Sequence, residues 1–182
     1  MFLLACQSQV DIDRSIEADG RTAREALTQL AARGPVPTVV QGDLPGLTAT
    51  QRDQLVTGAL AEGVRGLDVT FVAVPADRAP EQRVVVALER QPTRPIETLC
   101  SGGAFRASGG MAGGQRIAAA FCDGAKAVSA VEGTVAASGP RERERLLWRT
   151  ADALFPDDYE DSYGFGILPE WLGVGVGGSV GF

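Results

Sequence analysis

The stretch LDVTFVAV, residues 67–74, alternates with the period of a β-strand, and it stands between segments that carry the period of a helix. That change of period most constrains the fold, because strands and helices in one chain must share a core. On one face of the stretch lie Leu67, Val69, Phe71 and Ala73, and on the other Thr70, Val72 and Val74. The run RVVVALER, from Arg83, is a second strand, and the polar stretch 75–80 between the two predicts an antiparallel hairpin. RIAAAFC and KAVSAVEGTVAA supply two more strands around a turn at Asp123 and Gly124, VPTVVQ supplies another over 36–41, and a short strand is expected to lead into Cys100.

Three helices accompany these strands. Thr22 with Glu25, and Thr48 with Gln51, have the spacing of capping boxes. Behind the first, Ala23, Ala26, Leu27, Leu30 and Ala31 share a face, and Gly34 and Pro35 end the run. Behind the second the face is Leu55, Val56, Ala59 and Leu60, with Gly63 and Gly66 as the stop. A third helix over 139–155 starts at Pro140 and lines up Leu147, Trp148, Ala151, Leu154 and Phe155. Its RERER run reads as the solvated side. The order predicts an α+β two-layer sandwich: a mainly antiparallel sheet with helices packed on one face. The expected division is residues 1–5 as the remnant of a signal peptide, 6–21 as a lipidated N-terminus and tether, 22–163 as the α+β domain and 164–182 as a Gly-rich tail.

Composition removes whole classes of function. The chain has 182 residues, long enough to bury one sizeable core, and no apolar run long enough to span a bilayer as a helix. A net charge of −6 argues against generic binding to nucleic acid or to anionic lipid, since a phosphate-bearing partner needs a basic face. There is no histidine, which removes Ser-His-Asp and Cys-His catalysis and most zinc sites.

The three cysteines are Cys6, Cys100 and Cys122. Leu3-Leu4-Ala5-Cys6 resembles the lipobox of bacterial lipoproteins, in which a small residue precedes the cysteine that carries the acyl chains. The resemblance implies export, palmitate-type acylation of Cys6 and a lipid bilayer as partner. Gln7 stands where an Asp would retain a lipoprotein at the inner membrane, which by the same resemblance implies the periplasmic face of the outer membrane. With Cys6 removed from the count, Cys100 and Cys122 remain to form one disulfide in an oxidising compartment. The alternative is an ordinary buried N-terminal strand and two free thiols in a cytosolic domain.

Three further stretches carry candidate sites. Cys100 and Cys122 bracket the Gly-rich loop SGGAFRASGGMAGG, in which Phe105, Arg106 and Met111 form a candidate contact patch for an envelope protein. It lacks the Gly-Lys-Ser/Thr ending of a phosphate-binding loop. FPDDYEDSYG gathers Asp157, Asp158, Glu160 and Asp161, an oxygen-rich group of the type that holds Ca²⁺, although not at EF-hand spacing. The C-terminal tail has no charge from Trp171 onward and is a candidate edge strand, membrane contact or partner contact. No residue is assigned a catalytic role, and no cofactor other than that Ca²⁺ is implied. The expected function is a non-enzymatic binding or assembly module of the cell envelope, with a periplasmic hydrolase using the 157–161 carboxylates or a bound cation as the alternative.

Overall fold

The computed structural model describes residues 10–14, 19–88, 96–102, 114–136 and 139–157. Their elements run β1 (Val10–Arg14), α1 (Gly20–Ala31), β2 (Val36–Gln41), α2 (Ala49–Gly63), β3 (Phe71–Ala73), β4 (Gln82–Leu88), a 3₁₀ segment (Ile96–Ser101), β5 (Gln115–Asp123), β6 (Lys126–Val135) and α3 (Pro140–Leu154). The strands form one open sheet in the order β1-β6-β5-β4-β2-β3. The pairs β1·β6, β6·β5 and β5·β4 are antiparallel, whereas β2 runs parallel to both of its neighbours, β4 and β3. The protein is thus an α+β sandwich on a mainly antiparallel sheet.

Side-chain size divides the two faces of the sheet. On β5, Ile117, Ala119 and Phe121 join Val84, Val86 and Leu88 of β4 in the large core beneath the helices. That core also takes Ala23 and Leu27 from α1, Val56, Ala59 and Leu60 from α2, and Leu146, Leu147, Ala151 and Leu154 from α3. Phe121 meets Phe155 edge-on, ring centroids 5.6 Å apart, which fastens the end of α3 to the middle of the sheet. The intervening residues Ala118, Ala120 and Cys122, with Val39, Val85, Ala87 and Ala130, point to the opposite face and pack against Leu99 and Cys100 of the 3₁₀ segment. Between Phe121 and Cys122 the register with β6 slips, so that Phe121 faces Ser129 and Cys122 faces Ala127. Such a bulge turns Val128 toward the helix side, where it packs on the large core.

Several elements depart from their sequence-based reading. The 67–74 and 83–90 runs form no hairpin with each other. The structure inserts β2 between them, with Val36 paired to Phe71 on one side and Thr38 to Val84 on the other. The reason is burial, because β2 hides Val36 on one face and Val39 on the other and so belongs inside the sheet. The short strand expected before Cys100 is instead the 3₁₀ segment. Residues 10–14, inside the stretch read as a tether, are the edge strand β1, with Val10 opposite Val135. Helix α1 starts three residues from the expected capping box: its cap is Asp19, whose carboxylate accepts from the backbone N–H and hydroxyl of Thr22. The Thr48–Gln51 capping box of α2 forms as read.

Two glycines set how closely the helical layer packs. A Cβ on Gly63 would lie 2.6 Å from both the Ala151 Cβ and the Trp148 carbonyl oxygen, so α2 and α3 touch backbone to backbone there. A Cβ on Gly133 of β6 would meet Leu146 at 2.7 Å and Ile12 at 2.8 Å. Gly63→Ala is therefore expected to cost about 1–3 kcal/mol through overpacking. Gly58 on the same helix has nothing within 4 Å of its Cβ position. Gly58→Ala should stabilise by about 0.5–1 kcal/mol through helix propensity, and urea unfolding of the two variants reads the opposite signs.

The Thr22 hydroxyl, followed by its backbone N–H, holds the Asp19 carboxyl below its ordinary value. A depressed folded-state value means that the cap stabilises fully above the unfolded carboxylate value and fades as pH falls through the folded one. The stability difference between the wild type and Asp19→Ala should therefore be constant near neutrality and vanish in acid, as urea curves across that range will show.

Candidate functional site

The feature that most distinguishes this sandwich is the latch on its alanine-rich face. Cys122 ends the apolar run of β5, and it is joined to Cys100 by a disulfide with Cα atoms 5.4 Å apart. Both residues are buried, at 2% exposure for Cys100 and 0% for Cys122. A thiolate in solution has no route to sulfurs so enclosed, so the bond is a structural one and not an exchange centre. Arg83 on β4 is the register partner of Cys122. Its guanidinium donates to the Cys100 carbonyl at 2.9 Å, and also to the carbonyls of Pro80 and Glu81. The 3₁₀ segment is thus held twice at one point, once covalently and once by a charged donor.

The small side chains of the strands explain why a segment this short can cover the sheet. Ala118, Ala120 and Ala130 let the backbone of the 3₁₀ segment approach closely, and Leu99 fills the remaining space at 4% exposure. Further along the same face the surface becomes charged. Arg116 on β5 donates to Glu132 on β6, and both side chains are largely buried. On the helix side of β5, Gln115 is buried beside Arg143, whose Nε is 3.0 Å from the carboxamide oxygen once that oxygen faces the guanidinium. Arg143 therefore leaves the solvated face on which the RERER run placed it.

The Gly-rich stretch is arranged differently from its sequence-based reading. Cys100 lies beside the Cys122 end of β5, whereas the chain returns at Gln115, the other end of the same strand. By strand rise those ends are about 24 Å apart. The disulfide therefore ties the start of the stretch to the sheet and does not close its two ends together. Phe105, Arg106 and Met111 lie outside the described residues, as do Cys6 and Trp171.

Of the acidic group, Asp157 is described, and it sits 3.9 Å from Arg24. Arg24 also donates to the carbonyls of Phe155 and Arg65, so that this carboxylate balances a cation which closes the end of α3. Asp158, Glu160 and Asp161 lie outside the described residues. Among the described residues, no three His, Cys, Asp or Glu side chains come together as a metal site. A cluster that sequence reasoning missed surrounds Trp148, expected on the apolar face of α3 but only half-buried. The Arg65 and Arg149 guanidiniums lie over its ring at 5.5 and 5.2 Å. Its indole N–H donates to the Glu62 carbonyl, and Arg65 makes a two-pronged bond to Asp152 at 2.8 Å. The cluster ties the last turn of α2 to α3.

No protein-family model matches the sequence, and no curated protein matches it. Among solved structures, the chain is similar to two crystal forms of the PelC dodecamer from Paraburkholderia phytofirmans. The first, a singly substituted form, is 12% identical with a TM-score of 0.42, over 80% of this chain and 98% of that one. The second is 11% identical with a TM-score of 0.40, over 81% and 96%.

The latch has a measurable worth. The bridged residues are 22 apart in sequence. Replacing both by alanine should lower stability to urea by about 3 kcal/mol, the loop-closure value. Arg83→Ala should cost about 1–2 kcal/mol with the disulfide intact, from loss of a charged hydrogen bond. A double-alanine variant that unfolds at the wild-type urea concentration would show that the latch contributes nothing.

Proposed function

We propose that this chain is an exported lipoprotein of the bacterial envelope. Acyl chains on Cys6 attach it to the periplasmic face of the outer membrane. Its α+β domain acts as a non-enzymatic binding or assembly module for an envelope protein. The observation that carries this reading is the pairing of Cys100 with Cys122. Stable disulfides belong to oxidising compartments, and the bond uses two of the three cysteines. The cysteine left over is the one that follows Leu3-Leu4-Ala5, where a lipobox would place its acylation site. Two or more acyl chains make attachment lasting, whereas a single chain of myristoyl length binds only marginally.

The test is incorporation of radiolabelled palmitate by the protein expressed from its own gene in its own bacterium. Label is expected on the wild-type chain and absent from Cys6→Ala. Label that persists in Cys6→Ala, or a wild-type chain that takes up none, would overturn the proposal.

A further inference from the structure

We propose that one end of the sheet, where Val10, Val135 and Gln115 stand level, rests against the lipid bilayer, and that the domain stands end-on to the membrane. The proposal depends on the lipid-anchor reading and adds to it an orientation. Strand β1 pairs with β6 from Val10 onward, and Val10 lies opposite Val135, which itself lies opposite Gln115. The stretch read as a tether is therefore paired into the sheet from Val10 to Arg14. Only residues 7–9 separate Cys6 from Val10. Four peptide steps reach at most about 14 Å, even fully extended. An acylated Cys6 at the bilayer surface then leaves this end of the sheet no room to move away.

The same end collects the starts of two helices. Helix α3 begins at Pro140, five residues after Val135. Helix α2 begins beside the ends of β2 and β4, where Arg52 donates to the Gly42 carbonyl and Gly42 packs on the backbone of Leu88. The positive end of the α2 dipole consequently faces the layer in which lipid phosphates lie, whereas Glu142 already sets a carboxylate in the first turn of α3. The opposite end carries the β5–β6 turn at Gly124 and Ala125. The ten residues of β6 set the two ends about 30 Å apart. A short anchor on one end thus holds the other well away from the membrane, free to meet a partner.

The experiment uses the full acylated chain, its acylation verified by intact mass, in vesicles of phosphatidylethanolamine and phosphatidylglycerol that contain spin-labelled headgroups. A fluorophore is attached through Ala136→Cys at one end or Ala125→Cys at the other, both exposed positions. Loss of fluorescence is expected at 136 and none at 125. Inserting a Gly-Ser segment of about 12 residues between Gln9 and Val10, with a mean span of about 19 Å, should abolish the loss at 136 while acylation persists. Equal quenching at the two positions in acylated protein would overturn the orientation and leave the anchor standing. A chain that proves to carry no acyl group would overturn both.

Discussion

The bond between Cys100 and Cys122, backed by the Arg83 guanidinium on the Cys100 carbonyl, is the constraint on which the second face of the sheet depends. A helix covering a sheet brings a long stripe of large side chains. Among the described residues the cover here is the 3₁₀ segment Ile96–Ser101, and the strands beneath it offer Ala87, Ala118, Ala120 and Ala130. Alanine buries little area, so hydrophobic gain alone holds such a segment weakly. The disulfide acts on the other side of the balance, by removing conformations from the unfolded chain.

The opposite face uses the reverse strategy. Its side chains are large, its helices long enough to bury them, and its close contacts are made possible by glycine. Gly63 lets α2 meet α3, and Gly133 leaves room for the side chains of Leu146 on α3 and of Ile12, its partner on β1. Ile12 belongs to β1, so the edge strand is held by packing on the helical core as well as by its ladder with β6. This strand at the edge of the sheet is also the described element nearest Cys6 in the chain. Any pull on the N-terminus would be delivered directly to that edge.

What the sequence made legible follows physical range. The helices announced themselves through apolar residues at helical spacing, and Thr48–Gln51 and Pro140 marked two of their starts. The β5–β6 turn was equally readable, since Gly124 adopts a positive φ of 60° between two strand-like runs. The antiparallel reading of 67–74 with 83–90 failed because strand partners are chosen by burial across the whole sheet, which a local pattern does not encode. β1 was missed because five residues with two Asp and one Arg carry little apolar signal of their own. The disulfide was reachable through the lipobox resemblance, which sets Cys6 aside and leaves Cys100 with Cys122. The partnership of Arg83 with the Cys100 carbonyl was not, because it joins positions 17 residues apart through a register that only folding establishes. The Arg116–Glu132 pair and the burial of Arg143 beside Gln115 were hidden for the same reason.

The latch bears on the proposed anchor, since a bond between Cys100 and Cys122 leaves Cys6 as the remaining cysteine. The most direct measurement is the state of these sulfurs in protein taken from its own bacterium, denatured and alkylated without reductant before digestion. Cys100 and Cys122 are expected to emerge as one linked pair of peptides, open to alkylation only after reduction. Recovery of both already alkylated, as separate peptides, would mean that the cell never forms the latch.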